Sequence, residues 1–186
     1  SFVDSTPLRV CRNQRIHIHK TFKGIAQRGK CSMGWFFGFK LHLICNEKGE
    51  LLNFMITPGD VDDRKPLEYK SFMEFIYGKL VGDKGYVSKE LFQKLFVDGI
   101  QLITKLKSNM KGALMSVSDK LLLRKRAIIE TVNDELKNIA QVEHSRHRCF
   151  DNFIVNMLGA IAAYCMFPKK PCINVQRTLD TQLTLF

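Results

Sequence analysis

The run from Trp35 to Cys45 constrains the fold more than any other segment. Phe37, Phe39, Leu41 and Leu43 alternate with Gly38, Lys40, His42 and Ile44. That period of two suits a strand laid on a core and gives a helix no continuous apolar stripe. Asn46-Glu47-Lys48-Gly49 then supplies a turn, and Leu51 to Ile56 a second apolar run, so the segment is predicted to be a β-hairpin. Lys40 and His42 are expected to point away from its main apolar face. An isolated hairpin is not stable in water, so the rest of the chain must cover it.

The flanking patterns supply that cover. Pro58-Gly59-Asp60 ends the hairpin, and Pro66 opens a predicted helix carrying Leu67, Phe72, Phe75 and Ile76. Lys79 to Gly82 reads as a short strand closed by the turn Asp83-Lys84-Gly85-Tyr86. Ser88 is placed as the N-cap of a helix with Leu91, Leu95 and Phe96, stopped at Gly99. Ile100 to Leu106 reads as a strand, Lys107 to Ser116 as a linker, Ser118 to Ala140 as one long helix, and Phe150 to Phe167 as a mostly apolar helix. Strands mixed with helices in this order predict an α/β fold. The segment after Val3-Asp4-Ser5-Thr6, with Arg9, Arg12, Arg15, Lys20, Lys23, Arg28 and Lys30, reads as a basic loop.

At 186 residues and 45% hydrophobic content the chain can bury one core, which places a single domain over residues 1–167 and a basic, polar tail over 168–186. The apolar stretch Phe153 to Phe167 is interrupted by Asn156 and is shorter than the roughly 20 residues that span a bilayer. Six cysteines at irregular spacing, none in a CxxC pair, are expected as reduced thiols in a cytoplasmic protein. An acidic residue of interest as early as Asp4, in a sequence that opens on Ser1, makes it read as the continuation of a longer one. Lys and Arg outnumber Asp and Glu by 29 to 18, and a formal charge of +11 favours a polyanionic partner, nucleic acid first, through release of counterions from phosphates.

Three acids fall in contexts that would carry phosphoryl-transfer chemistry. Asp4 and Asp83 each end a potential strand, and Glu130 lies on the long helix. Carboxylates from separate elements can hold paired divalent ions, which stabilise the attacking and leaving oxygens. On a helix advancing about 100° per residue, Arg126, Glu130 and Lys137 share one sector, opposite Ile128, Ile129, Val132, Leu136 and Ile139. The same spacing also fits an exposed Arg126–Glu130 pair worth roughly 0.2 to 0.5 kcal/mol, and spacing does not choose between them.

The strings VDSTPL at Val3 to Leu8, GDKGY at Gly82 to Tyr86, and Arg126-x3-Glu130-x6-Lys137 resemble the three acidic motifs of bacterial insertion-sequence DDE transposases. Ile56 to Asp60, and Glu143 to Arg148, add to a likeness that covers residues 2 to 166. The resemblance implies a ribonuclease-H-like mixed sheet flanked by helices. It implies Asp4, Asp83 and Glu130 as catalytic metal ligands for Mg²⁺, for which Mn²⁺ can substitute, and Arg126 and Lys137 as contacts to DNA phosphate. It implies cleavage at element ends followed by strand transfer into double-stranded target DNA, by a homodimer on paired ends. Many relatives carry a Tyr three residues before the Arg of the third motif, where this chain has Leu123. An inactive DNA-binding remnant and a ribonuclease-H-like nuclease are the competing readings.

Lys40, Arg146 and Arg148 are further candidate DNA contacts, with His144 and His147 along the same phosphate path. His17-x-His19 has no cysteine at a zinc spacing. Asp60, Asp62 and Asp63 read as turn chemistry outside the site, with Arg64 able to neutralise one of them. Trp35, Phe36, Phe37 and Phe39 are expected in the core.

Overall fold

The computed structural model describes residues 1–105, 115–143 and 147–173. The predicted hairpin is its centre. Strand β3 (Gly34–Cys45) pairs antiparallel with β1 (Phe2–Cys11), and on its other edge with β2 (Gln27–Cys31) and then β4 (Leu51–Pro58). Beyond β1 lie β5 (Gly78–Gly82) and β6 (Ile100–Thr104), both parallel to it, giving the order β2-β3-β1-β5-β6 with β4 beside β3.

Alternation along β3 explains how the layers are covered. Phe37, Phe39, Leu41, Leu43 and Cys45 enter a core shared with helices α3 (Val117–Lys125), α4 (Ala127–Asn138) and α5 (Phe150–Cys165). Ile44 joins Val3, Leu80 and Leu102 in a second core under α1 (Lys70–Met73) and α2 (Lys89–Val97). Both sheet faces are therefore buried, and Lys40 and His42, which point away from the main apolar face as expected, are only 9% and 1% exposed.

Several local readings hold. Ser88 Oγ accepts from the Leu91 amide at 3.4 Å, and Gly99 closes α2 with φ 77°, a conformation that glycine adopts without a Cβ clash. Others do not. Residues 7–11 of the expected basic loop extend β1, so Asp4 lies within that strand and not at its end, and residues 27–31 form β2, because β3 is long enough to pair with both. The helix after Pro66 is a 3-10 turn, Lys65–Glu68, and the four-residue α1, which stops where Glu74 turns extended (ψ 134°); Phe75 follows with left-handed backbone (φ 62°) and is 86% exposed. The long helix is divided at Arg126, whose carbonyl accepts from the Ile129 amide in a tightened turn. Ile128, Ile129, Val132 and Leu136 are buried as the helical wheel requires, whereas Ile139 follows the end of α4 and is 63% exposed.

Pro7 is accommodated because β5 pairs with β1 only at Phe2, leaving the rest of that edge of β1 without a partner strand among the described residues. The first residues of the expected tail are anchored by the Ile173 amide, which donates to the Glu47 carbonyl at 2.9 Å, while Tyr164 of α5 donates to the Gly49 carbonyl at 2.6 Å. Leu106, most of the predicted linker, and residues 174–186 lie outside the described residues. All six cysteines are free thiols, and no helix among the described residues is long and apolar enough to cross a membrane.

Close backbone approach around Gly29 ties β2 to the end of β4. A Cβ there would lie 2.0 Å from the Gly59 carbonyl oxygen and 2.8 Å from the Phe36 ring. Gly29→Ala is expected to lower stability by about 1 to 3 kcal/mol, the usual range for overpacking, read as a lower denaturant midpoint. An unchanged midpoint would show that β2 can move away at no cost.

Candidate active site

Strand register brings the first two acids together. β1 and β5 run parallel with Phe2 opposite Val81, so continuing by two residues sets Asp4 beside Asp83 at the point where β5 ends. From the helical layer, α4 adds Glu130, and Asn133 one turn further on. These meet in a cleft of about 320 Å³ lined by Asp4, Asp83, Glu130, Arg126, Lys40 and Asp63, among others. The three sequence-predicted acids thus share one cavity, although they come from three separate elements.

Arg126 organises the cleft. One amino group of its guanidinium pairs with Glu130, and the other lies 4.0 Å from Asp4 Oδ1. The Arg–Glu pair offered by i,i+4 spacing therefore forms, but its arginine also faces Asp4. Asn133 Nδ2 donates to Asp4 Oδ2 at 3.1 Å. Burial, partly offset by Arg126 and the Ser5 amide, pushes the Asp4 carboxyl up to about 6, and the charges of Glu130 and Asp83 push the same way. The acids are close enough to sense one another. Tyr86 closes the floor, its hydroxyl pushed well above the usual range by burial and then by Asp4 and Asp63.

The acids do not form a closed cage. Among the described residues, no group of three or more His, Cys, Asp or Glu side chains is positioned to hold a metal ion. Arg126 meanwhile supplies positive charge between Asp4 and Glu130.

The predicted cations divide into different roles. Lys40 projects from the opposite sheet face to Asp4, donates to the Val61 carbonyl at 2.8 Å and pairs with Asp63 at 2.9 Å. It reaches the cleft while already engaged. Lys137 donates to the Pro7 carbonyl at 2.9 Å and lies 3.5 Å from Glu143, whose other oxygen accepts from the Arg9 amide at 2.9 Å. That arrangement clasps α4 to β1 and spends the Lys137 ammonium on the protein itself. Arg148 is exposed, and Arg146 and His144 lie outside the described residues. His147 packs edge-on against Phe153, and His19 stacks on Phe22.

Sequence reading missed Asn133 and Tyr86, and it excluded Asp63, which lines the cleft. The helical wheel could have found Asn133: it lies about one turn beyond Glu130 on the side leading to the apolar face. Arg64 does neutralise one loop acid, gripping Asp62 with Nε–Oδ1 at 2.9 Å and Nη2–Oδ2 at 2.7 Å. Phe36, Phe37 and Phe39 are buried as expected, but Trp35 is 52% exposed because β3 extends beyond the core at that end.

No curated protein sequence matches the chain. Its fold is similar to a piggyBac transposase seen by cryo-EM in a synaptic complex with hairpin DNA, with a TM-score of 0.57 at 12% identity. That similarity covers 88% of this chain and 45% of the piggyBac chain, so this chain spans less than half the length of that relative. A family profile described as Transposase DDE domain matches residues 1–150, which takes in all three acids and both halves of the mixed sheet. The chain belongs to the Transposase DDE domain family.

Proposed function

We propose that the chain is the catalytic domain of an insertion-sequence DNA transposase, with Asp4, Asp83 and Glu130 as its metal ligands on a ribonuclease-H-like sheet. The observation that carries this reading is the meeting of Asp4, Asp83 and Glu130 in one cleft of a Transposase DDE domain. Antiparallel β3 and β1 followed by parallel β5 and β6 support the ribonuclease-H-like assignment. DNA as partner is supported by the charge of +11 and by the DNA in the similar piggyBac complex.

The donor set fits Mg²⁺ or Mn²⁺, since all three side chains offer hard carboxylate oxygens. Asp4 also has reason to accept a cation, because burial penalises its negative charge. Such ions, when bound, supply the Lewis acidity that activates a nucleophile and stabilises the leaving oxygen. The protein's part is placement. Asn133 orients Asp4, the end of β5 presents Asp83, and Arg126 is positioned to exchange Glu130 for a DNA phosphate oxygen. In the first stage water attacks the phosphodiester and frees a 3′ hydroxyl. In the second, that hydroxyl attacks a target phosphate and displaces the target's own 3′ oxygen. Joining two ends to one target calls for two copies of the chain.

Pairing of Arg126 with Glu130, in place of a closed cage of acids among the described residues, favours the competing reading of a DNA-binding remnant. Incubating the purified protein with element-end duplexes separates the readings. The transposase reading expects nicking in Mg²⁺ or Mn²⁺, none in EDTA, and joined products when target is added. DNA binding without nicking in either metal would establish the remnant, and nicking of any duplex without joining would establish a general nuclease.

A further inference from the structure

We propose that Trp35, with Arg28 and Lys30, forms a stacking platform for an unpaired DNA base beside the acid cleft. Trp35 keeps 52% of its surface in solvent, although it is the second residue of a strand whose next aromatics, Phe36 and Phe37, are buried. Its backbone is fixed by pairing with Lys30 across the hairpin and by Asn13 Nδ2, which donates to the Trp35 carbonyl at 2.8 Å. The Arg28 guanidinium lies 5.1 Å and the Lys30 ammonium 5.8 Å from the indole centroid. No carboxylate among the described residues pairs with either cation.

Position links this platform to the chemistry. Lys30 lines the acid cleft, and a groove of about 460 Å³ joins Trp35 and Arg28 to Lys40 and Gly85, which also border that cleft. On its other side Trp35 walls a groove of about 410 Å³ containing Arg9 and Arg12. Of the acids on the intervening wall, Asp62 is gripped by Arg64 and Asp63 by Lys40, leaving Asp60. An aromatic face flanked by cations matches a nucleobase and its phosphates. A paired base has both faces covered by its neighbours in the stack and would meet the cations alone. Trp35 is therefore assigned to strand that has left the duplex, next to the bond that is cut.

This assignment rests on the transposase reading, but its test requires no cleavage. Trp35 is the single tryptophan of the chain, so emission excited at wavelengths beyond the tyrosine band reports on this site alone. In EDTA, a short thymidine oligonucleotide is expected to quench that emission. By anisotropy, Trp35→Leu should weaken binding of the same oligonucleotide about tenfold, Trp35→Phe should restore most of the affinity, and a duplex of equal length should bind parent and variants alike. Arg28→Gln with Lys30→Gln should flatten the salt dependence of single-strand binding. Saturation without quenching, unchanged single-strand affinity in Trp35→Leu, or an equal loss for duplex would each overturn the platform. Failure of the parent to bind either form of DNA would overturn the transposase reading along with it.

Discussion

Asp83→Asn is expected to fold, to bind DNA with parental affinity, and to lose metal-dependent cleavage by about a thousandfold, equivalent to roughly 4 kcal/mol of transition-state stabilisation. Asp83 is the most informative acid to change. It is half-buried at the end of β5 and has no salt bridge among the described residues, so an isosteric amide strands no cation. Glu130→Gln would release Arg126 and mix a structural effect with the chemical one. Cleavage rates in Mg²⁺, with circular dichroism and DNA affinity as controls, decide the matter. Cleavage within tenfold of the parent would remove Asp83 from the reaction.

The hairpin was legible because alternation along β3 is a local property of the chain, and so was the cap at Ser88. The acids were legible as motifs, but their meeting is not local. It depends on β5 lying parallel to β1 in a register that only the folded sheet sets. Charged residues misled where a cation had two possible partners. Lys137 shares a helical sector with Arg126 and Glu130, yet its ammonium reaches the Pro7 carbonyl and Glu143, because β1 passes under that end of α4. Lys40 was placed on the correct face of β3, but alternation cannot reveal that a second layer buries that face. Trp35 was misplaced for the converse reason: it obeys the strand pattern after the core has ended.

The cleft also implies tension between stability and chemistry. In EDTA at pH 7.5, Asp4→Asn is expected to be more stable than the parent by about 3 kcal/mol, with a midpoint roughly 5 to 10 °C higher. Burial raises the Asp4 carboxyl from its ordinary 3.8 to about 6. Between those values the folded protein holds a proton that the unfolded chain releases, so the Asp4 contribution to stability falls as pH rises through this window and stays low above it. Asparagine carries no charge, and its Oδ1 still accepts from Asn133. His42 works in the opposite sense. Burial holds its imidazole near 4 in place of 6.5, so stability is lost as pH falls through that interval, by about 3 kcal/mol in all. In the parent the two effects largely cancel between pH 4 and 6, and Asp4→Asn should expose the His42 slope alone. Thermal melts across pH 4 to 8 measure both. A variant no more stable than the parent at pH 7.5 would show that burial does not hold the Asp4 carboxyl as high as about 6. Adding Mg²⁺ should then raise the parent's midpoint and leave that of Asp4→Asn nearly fixed, because an ion that relieves the buried charge stabilises only the chain that carries it.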